Sequence, residues 1–519
     1  MPVHTGIRKG IQNSTTSDKI LRIASYRHEE FSVGDVLEAL TRIIKLGNYP
    51  FEDPVLIDML IRPLPDRVRS GKFVSNPTVL VSVIHKLAKL KLRRSFLREV
   101  MTELCALTVQ YGETLSPWSI SNVLWAMATM KVELPEVFEA LCHAAAAKVE
   151  GFNAQDCANT LWAMATMKVE LPEVFDALCY AAAAKVEDFN AQNCVNTLWA
   201  MATMKVELPE VFEALCHAAA AKVEDFNAQN CANTLWAMAT MKVELPEVFE
   251  ALCHAAAAKV EGFNAQECAN TLWAMATMKV ELPEVFEALC YAAPAKVEDF
   301  NAQGCANTLW AMATMKVELP EVFEALCHAA AAKVEDFNAQ GCANTLWAMA
   351  TMKVELPEVF EALCHAAAAK VEDFNAQECA NTLWAMATMK VELPEVFEAL
   401  CYAAAAQVED NNTNNNHHHP HQRRECLRGR SCHRCQDSIR RGSGGEDFDP
   451  HSERRQSCEF AHPQGEWWLS SQLMGSSGKR PGDRMSVNND NNKNNDNKNN
   501  NNNNNYNNSM LSPAAALAQ

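Results

Sequence analysis

The chain has 519 residues, 48% of them hydrophobic and 21% charged, with a formal net charge of −18 at pH 7. This length exceeds that of one ordinary hydrophobic core, and the apolar fraction is high enough for a large folded region. The acidic excess argues against a uniformly basic polyanion-binding surface. No segment is long and apolar enough to cross a membrane, and no secretory segment is evident, so we expect a protein that is neither secreted nor membrane-bound.

Residues 1–30 are expected to be a flexible N-terminal segment with weak targeting character. Five cations lie there among Ser and Thr residues, but so do Asp18, Glu29 and Glu30. Import peptides of mitochondria and chloroplasts are rich in Arg and Ser and poor in acids, so the match to such a signal is weak. The expected location is the mitochondrion or chloroplast, with the cytoplasm as the alternative.

Residues 31–114 are predicted to form divergent, basic helical repeats. The stretches 31–50 and 73–91 share an apolar rhythm, and the segment beginning at His85 is the most basic part of the chain. Clustered cations of this kind are candidate phosphate contacts, whereas the alternative is a helix end whose cations are merely solvated. The candidate RNA-contacting cations are Lys86, Lys89, Lys91, Arg93 and Arg94.

A 37-residue unit recurs almost letter for letter through residues 115–410. One Trp marks each copy: Trp125, Trp162, Trp199, Trp236, Trp273, Trp310, Trp347 and Trp384. A unit of this length is too short for its own core, so it buries its apolar faces against its neighbours. The predicted fold is all-α, an α-solenoid of about ten stacked helical hairpins beginning near Phe31.

The unit spanning residues 152–188 shows the signals of a helical hairpin. Asn153 is placed to cap the first helix, with Phe152 before it as a hydrophobic staple. This helix is expected to end near Lys168. Pro172 then suits the first turn of a second helix, because its missing N–H costs no hydrogen bond there.

The array carries most of the acidic charge. Residues 115–410 contain 15 Lys, no Arg and 41 Asp or Glu, a net charge of −26. Fifteen of the 20 cysteines recur at two fixed helical positions, such as Cys157 and Cys179. Thiols at helical spacing are expected to be buried, unpaired core groups in a reducing compartment, with a disulfide ladder as the alternative.

The segment Cys157-Ala158-Asn159-Thr160-Leu161-Trp162-Ala163-Met164 resembles the Asn-x-Leu-Trp-Ala helix of octotricopeptide and heptatricopeptide repeat proteins, which are related to the repeats of FAST-kinase-like proteins. The resemblance covers roughly residues 31–410. It implies an α-solenoid that binds organellar RNA and acts in RNA processing, stability or translation. Two features depart from the family pattern: no RAP-type C-terminal domain is recognisable, and the repeats are unusually acidic and alike.

The copies differ mainly at one position after Asn-Ala-Gln, which we call the variable position. We expect it to lie in the exposed first turn of the first helix, on a stripe with Asn159, Thr160 and Ala163. Its side chains present different hydrogen-bonding patterns, so it and Asn159 are candidate base contacts, one base per repeat. The alternative is an exposed position that tolerates several residues because acids suit a helix N-terminus. The variable position holds Asp156, Asn193, Asn230, Glu267, Gly304, Gly341 and Glu378.

Three further features of the array carry expectations. The second helix holds His or Tyr at one position, for example His217 and Tyr180, expected to pack between units, with base stacking as the alternative. The repeated tryptophans are expected to be core residues. Pro294 replaces an alanine and should bend or shorten its helix.

Residues 411–519 are predicted to be a disordered tail rich in Asn and His, because their composition cannot offset chain entropy. Within residues 426–462, one Cys-x2-Cys pair is followed by a Cys-x3-His pair. These four side chains form a candidate zinc site of tetrahedral type, and the alternative is incidental Cys and His. The candidate ligands are Cys432, Cys435, Cys458 and His462.

Two functions remain open from the sequence. The first is an RNA-binding factor for single-stranded, organellar RNA, supported by the repeat resemblance and the basic N-terminal units. The second is an acidic scaffold for a basic protein partner, supported by the net charge of the array. Glycine-rich phosphate loops and nucleophile motifs are absent, so we expect neither an enzyme nor a small-molecule substrate.

Overall fold

The protein is described by a computed structural model, which covers residues 2–47, 53–70, 77–90, 92 and 95–413. In these residues there are 23 α-helices and no strand, which confirms the predicted all-α class. The α-helices are α1 (Pro2–Asn13), α2 (Ser17–Tyr26), α3 (Val33–Leu46), α4 (Pro54–Ile61), α5 (Leu64–Arg69), α6 (Pro77–Leu90), α7 (Ser95–Ala106), α8 (Pro117–Met130), α9 (Pro135–Ala147), α10 (Ala154–Met167), α11 (Pro172–Ala183), α12 (Ala191–Met204), α13 (Pro209–Ala220), α14 (Ala228–Met241), α15 (Pro246–Ala257), α16 (Ala265–Thr277), α17 (Pro283–Ala292), α18 (Ala302–Met315), α19 (Pro320–Ala331), α20 (Ala339–Met352), α21 (Pro357–Ala369), α22 (Ala376–Met389) and α23 (Pro394–Thr413). Short 3₁₀ helices occupy His28–Glu30, Val109–Thr114, Val149–Gly151, Val186–Asp188, Val223–Asp225, Val260–Gly262, Pro294–Asp299, Val334–Asp336 and Val371–Asp373.

Each regular unit is a helical hairpin, and we call its first helix A and its second helix B. The even-numbered helices from α8 to α22 are A helices, and each is followed by its B helix. Asn153 caps α10 as predicted, because its side chain accepts a hydrogen bond from the backbone N–H of Asp156. Phe152 before it is buried, and Pro172 is the first residue of α11.

The two layers of the solenoid pack differently. Neighbouring A helices contact each other along most of their length, whereas neighbouring B helices touch at few positions. Small buried residues such as Ala163 and Ala165 allow the close approach of A helices. Because a stack curves toward its more closely packed layer, the A helices form the concave side and the B helices the convex side.

The core runs continuously between these layers. Each of the six units from α10 to α21 contributes a fully buried Phe from helix B, Leu and Met from helix A, and two thiols. The cysteines of the array are unpaired and buried, with Cys401 as the exposed exception, so the predicted core thiols are confirmed for the described residues. Burial raises the pKa of the Cys157 thiol to about 11, which keeps it protonated at neutral pH.

The first 30 residues differ from the prediction of a flexible segment. The structure places helices α1 and α2 there, and their apolar side chains Ile7, Ile11, Ile20 and Leu21 are fully buried. These helices pack on each other and on α3 and α4, so they close the open end of the core. That prediction is therefore wrong for residues 2–26. A few apolar residues spaced i, i+4 on one helix face are enough for these helices to pack against the exposed end of the hydrophobic core.

Pro294 shortens its helix as expected. Helix α17 ends at Ala292 after 10 residues, whereas α13 and α15 have 12. The proline has no N–H to continue the helix, and a 3₁₀ helix takes over from Pro294. Lys296 nevertheless keeps the extended φ of −128° found at the same place in other units, so the next repeat begins normally.

Candidate nucleic-acid interface

The concave face exposes one narrow stripe of each A helix. In α10 this stripe consists of Gln155, Asn159, Trp162 and Thr166, which are spaced i, i+4, i+7 and i+11 and therefore lie on one helix face. The same four residue types recur in the following six A helices. We call this repeated set the amide–indole ladder. None of its four positions carries a charge in these seven repeats.

The ladder lines an open groove that runs across four consecutive A helices. The space along the groove, open solvent included, is about 510 Å³. It contains the amide side chains and indole rings of successive ladder rungs together with two small residues at the groove floor. The lining residues are Trp199, Asn233, Trp236, Gln266, Ala269, Asn270, Asn301, Gln303, Gly304 and Asn307.

The ladder presents hydrogen-bonding and stacking groups side by side. The Gln192 side chain donates to the Asn196 Oδ1 at 2.7 Å, so adjacent amides orient one another. Most ladder tryptophans are half-buried, and Trp384 in the last rung is 40% exposed. Amides offer both a donor and an acceptor to a base edge, and indoles offer a flat stacking surface, so the stripe suits unpaired bases better than phosphates.

The tryptophans therefore differ from the expected pure core role. Trp125 and Trp199 are buried, whereas the tryptophans at the same position of α10, α14, α16, α18 and α20 are only partly buried against the core. Trp199 and Trp236 line the groove. Sequence reasoning missed this because helix A is covered on three sides, by two A helices and its own B helix. The apolar pattern then spreads around most of the helix, and only a narrow polar stripe marks the exposed side.

The concave face continues into the N-terminal units with different residues. In α6, His85 stands at the register position of the ladder tryptophan, and its ring meets that of Trp125 edge-on, with 5.2 Å between centroids. Burial, reinforced by Lys89 and Lys86, lowers the pKa of His85 to about 3. This imidazole is therefore neutral at physiological pH and acts as an aromatic packing group.

The basic N-terminal patch is less exposed than predicted. Lys86 and Lys89 lie on α6 and are both half-buried, and burial lowers the pKa of Lys89. Lys89 occupies the register position that Thr129 holds in α8, at the edge of the concave face. The other three candidate cations, Lys91, Arg93 and Arg94, lie outside the described residues.

The variable position is not on an exposed stripe, so that part of the prediction is wrong. Asp156 is 4% exposed, Asn193, Asn230 and Glu267 are also buried, and only Glu378 in the last A helix is half-buried. The neighbouring A helix covers this side, which also buries Thr160 and Ala163; Asn159 is half-buried and belongs to the ladder instead.

The variable position closes the helix N-terminus. In three A helices of the described chain, its acidic side chain pairs reciprocally with the capping residue; Asp156 does this in α10, Glu267 in α16 and Glu378 in α22. Asp35 makes the same pairing in α3. Asp156 also accepts a hydrogen bond from the Ser121 hydroxyl of the preceding unit at 2.7 Å. Burial raises the pKa of Asp156, while the bonds from Ser121 and Asn153 oppose that rise.

Where the variable position holds Gly, the backbone packs closely against neighbouring side chains. A Cβ added to Gly304 would lie 3.2 Å from the Phe300 ring and from the Asn301 Oδ1, and 3.8 Å from the Cβ of Ala269 in the preceding A helix. The variable position therefore faces the preceding repeat. Its side chain sets a helix cap and an inter-repeat contact.

The His or Tyr position on helix B also differs from its expectation. These side chains are exposed on the convex face and do not pack between units; Tyr180 is 58% exposed and Tyr402 is 70% exposed. The exposed acids Glu210 and Glu213 share the convex surface of α13 with His217. Most acids of the array thus lie on the B helices and in the loops, and the exceptions are the acids at the variable position of helix A.

Every A helix of the array ends in a lysine with left-handed backbone. We call these eight residues the left-handed lysine column: Lys131, Lys168, Lys205, Lys242, Lys279, Lys316, Lys353 and Lys390. Their φ angles lie between 50° and 55°, a region that favours glycine. In α8 the N–H of Lys131 bonds to the Ala128 carbonyl and that of Val132 to the Met127 carbonyl, which is a Schellman motif. All eight lysines are exposed.

A second set of lysines follows the B helices. We call it the linking lysine column: Lys148, Lys185, Lys222, Lys259, Lys296, Lys333 and Lys370. These lysines are half-buried, and three of them donate to backbone carbonyls of the preceding unit. Lys148 reaches the Leu115 carbonyl at 2.7 Å, and Lys370 reaches the Glu335 carbonyl at 2.8 Å. Lys148, Lys333 and Lys370 therefore hold adjacent units together.

The candidate zinc ligands Cys432, Cys435, Cys458 and His462 lie outside the described residues. Among the residues that are described, no group of three or more His, Cys, Asp or Glu side chains is arranged to hold a metal ion. None of the described helices has the length and hydropathy needed to span a bilayer.

Comparisons with known proteins place this chain in a family. The profile of the family described as "RNA-editing substrate-binding complex 6 protein" matches residues 38–283 and 243–366, and a family described as a protein of unknown function matches residues 369–383. No curated protein matches the chain. A structure titled "Homology model of the full-length AP-3 complex in an intermediate open conformation" aligns with 81% of this chain and 80% of its own, at 10% identity and a TM-score of 0.25, which supports no argument.

The first match assigns the chain to a family, but it does not confirm the specific repeat family that the sequence predicted. It supports an RNA-associated helical-repeat protein, whereas the narrower assignment to octotricopeptide or heptatricopeptide repeats remains a prediction. Its two segments together span residues 38–366, more than half of the 519 residues. The chain therefore belongs to the RNA-editing substrate-binding complex 6 protein family.

Proposed function

We propose that this protein binds single-stranded RNA along the amide–indole ladder and acts, without catalysis of its own, in organellar RNA processing, stability or translation. The observation that carries the proposal is the groove across four A helices, where Asn, Gln and Trp side chains repeat with the period of the solenoid. The family description names RNA-editing substrates, which is compatible with this function and with a mitochondrial location.

The distribution of charge removes the main objection to RNA binding. The array has a net charge of −26, but its ladder positions are uncharged and its exposed acids are on the convex face and loops. An RNA strand that turns its bases toward the ladder would keep its phosphates away from the A helices. Stacking and amide contacts then supply the affinity that comes from the ladder itself.

The ladder also explains how bases would be held. Successive half-buried indoles such as Trp236 and Trp273 provide rigid surfaces for stacking, since their inner faces are packed against the core. The neighbouring amides, such as Asn270 and Gln266, can pair with base edges. Because the ladder rungs are nearly identical, we expect uniform base preferences along the groove rather than a different preference for each repeat.

The test compares a ladder variant with a convex-face variant of equal size. Replacing Asn233, Asn270 and Asn307 together by Ala should weaken binding of random-sequence single-stranded RNA on the order of ten-fold or more, since each amide contact contributes to base recognition. Replacing Glu213, Glu250 and Glu287 by Ala should leave that binding nearly unchanged. Quenching of the intrinsic Trp fluorescence by RNA would report on the ladder directly.

Two outcomes would count against the proposal. Equal loss of binding in both variants would indicate a general change of charge or stability, and the circular dichroism of each variant would separate these. Absence of RNA binding by the wild-type protein, even at low salt, would favour the second candidate function. That candidate is a scaffold whose acidic convex face, with Glu210 and Glu213, binds a basic protein.

A further inference from the structure

The left-handed lysine column is conformationally costly and repeated eight times. A residue at the C′ position of a Schellman motif is usually Gly, since a Cβ disfavours the left-handed region. Here each such position holds Lys instead, with φ near 53° in Lys168 and Lys205. The fold alone would be served better by Gly, so the side chain itself requires an explanation.

The column lies at the C-terminal ends of the helices that carry the ladder. Lys168 follows the last ladder residue of α10, Thr166, by two positions, and therefore stands at the end of the same A helix. The nearest carboxylates in sequence, Glu170 and Glu173, come after it and lead toward helix B in the convex layer. Each unit thus carries one exposed cation at the C-terminal end of helix A.

The linking lysine column shows what a structural lysine looks like in the same units. Lys148, Lys333 and Lys370 use their ammonium groups to bind backbone carbonyls of the preceding unit. The left-handed lysines take part in none of the side-chain hydrogen bonds or ion pairs that the structure shows for its described residues. Their side chains are exposed, one per repeat, at the same end of successive A helices.

We propose that the left-handed lysine column binds the phosphate backbone of the RNA strand whose bases occupy the ladder. This inference rests on the proposed function and adds to it a second, electrostatic contact in each repeat. The left-handed backbone fixes the direction in which each side chain leaves the helix end, and the exposed ammonium binds phosphate as a mobile point charge. The ladder then holds the bases, while the lysine edge orients the strand along the solenoid.

The experiment uses the full chain and a random-sequence single-stranded RNA at a series of salt concentrations. The test variant replaces Lys205, Lys242, Lys279 and Lys316 by Gly. We expect weaker RNA binding at low salt, and a slope of log affinity against log salt reduced by roughly 3, since each lost phosphate contact on a single strand contributes about 0.7. The same variant should have a higher urea midpoint than the wild type, because Gly suits φ near +53°.

A variant that binds RNA more weakly and is also more stable toward urea is expected only if the lysines serve RNA binding. The matched control replaces four linking lysines, Lys222, Lys259, Lys296 and Lys333, by Gln, which removes the same charge. This control should not raise the urea midpoint, since Lys333 loses its hydrogen bond to the Glu298 carbonyl, and it should leave the salt slope close to that of the wild type. Replacing the four left-handed lysines by Arg should retain the salt slope, since the charge is kept.

The possible failures are distinguishable. If the wild type binds RNA and the Gly variant binds with the same affinity and salt slope, the lysine column plays no part in binding and this inference is overturned while the proposed function stands. If the linking-lysine control loses the same slope, the effect is one of net charge and the inference is overturned as well. If the wild type binds no RNA at any salt concentration, both the inference and the proposed function fail.

Discussion

The two layers of the solenoid are built from the same 37-residue unit but differ in packing and charge. The A helices pack closely and expose an uncharged stripe of Gln, Asn, Trp and Thr, whereas the B helices touch sparsely and expose Glu with His or Tyr. The net charge of −26 therefore describes neither surface. For a repeat protein, the charge of each face is the quantity that bears on its partners.

The largest expected effect tests the difference in packing. Replacing Ala269 by Leu should destabilise the protein by about 2–3 kcal/mol, because overpacking at a closely packed site forces side chains and backbone to shift. Ala269 is buried and faces Gly304 of the next A helix. Replacing the half-buried Ala255 of α15 by Leu should cost less than about 1 kcal/mol, since the sparse B layer has room. Urea unfolding of both variants measures the difference.

The next effect concerns the contact between repeats at the variable position. Replacing Ser121 by Ala should cost about 1–2 kcal/mol, because the buried Asp156 carboxylate loses a hydrogen-bond donor. RNA affinity should not change, since the position is covered by the neighbouring A helix. Replacing Asp156 by Asn in the Ser121→Ala protein should recover part of the stability, because a neutral amide is less costly to bury. If the Ser121→Ala protein, under conditions where it is fully folded, binds RNA more weakly than the wild type, the variable position would again be a candidate base contact.

A smaller effect is expected from pH at the junction of the basic and acidic repeats. The pKa of His85 is lowered to about 3 in the folded protein, whereas an unfolded His has a pKa near 6.5. The unfolded state therefore binds an extra proton below that value, and the stability contributed above about pH 6.5 is lost as pH falls toward 3. The loss amounts to about 1–2 kcal/mol by pH 5.

The His85→Phe variant isolates this pH dependence, since Phe keeps an aromatic contact with Trp125 and cannot titrate. Thermal unfolding of both proteins between neutral and mildly acidic pH gives the measurement. The difference in stability between them should change by the stated amount over this range. An unchanged difference would mean that His85 is solvated when protonated, contrary to its buried position beside Trp125.

The smallest expected effect is the change in RNA affinity when acidic charge is removed from the convex face. Neutralising Glu139, Glu324 and Glu361 on the convex face by Gln should change RNA affinity less than about two-fold at physiological salt, since charges beyond the Debye length of about 8 Å are largely screened. These three residues are exposed on B helices. A gain of ten-fold or more, measured by RNA titration, would place the RNA on the convex side.

The hairpin could be predicted from the sequence in considerable detail. The Asn153 cap, the helix end at Met167 and the start of helix B at Pro172 were all predictable, because each depends on residues within one turn of the helix. The shortening at Pro294 is local in the same sense. The two helices within residues 1–30 were not predictable, since their docking depends on the exposed core end offered by α3 and α4.

The face of helix A that meets solvent was predicted wrongly, by one residue. The expected stripe contained Asp156, Asn159, Thr160 and Ala163, whereas the exposed one contains Gln155, Asn159, Trp162 and Thr166, so that only Asn159 was placed correctly. Consecutive residues of a helix point about 100° apart. One residue can therefore face the neighbouring helix while the residue before it faces the groove. Helix A has neighbours on three sides, so its own hydrophobic pattern indicates burial but not the direction of the remaining gap.

The sequence by itself determined the 37-residue hairpin, its caps, its buried thiols and the net charge, because these follow from local periodicity and composition. Only the tertiary structure decided which stripe becomes the groove, that the variable position joins repeats, and that two sets of lysines have different surroundings. The reason is physical: caps and helices depend on neighbours along the chain, whereas exposure of a helix face depends on the tightness and curvature with which successive units stack.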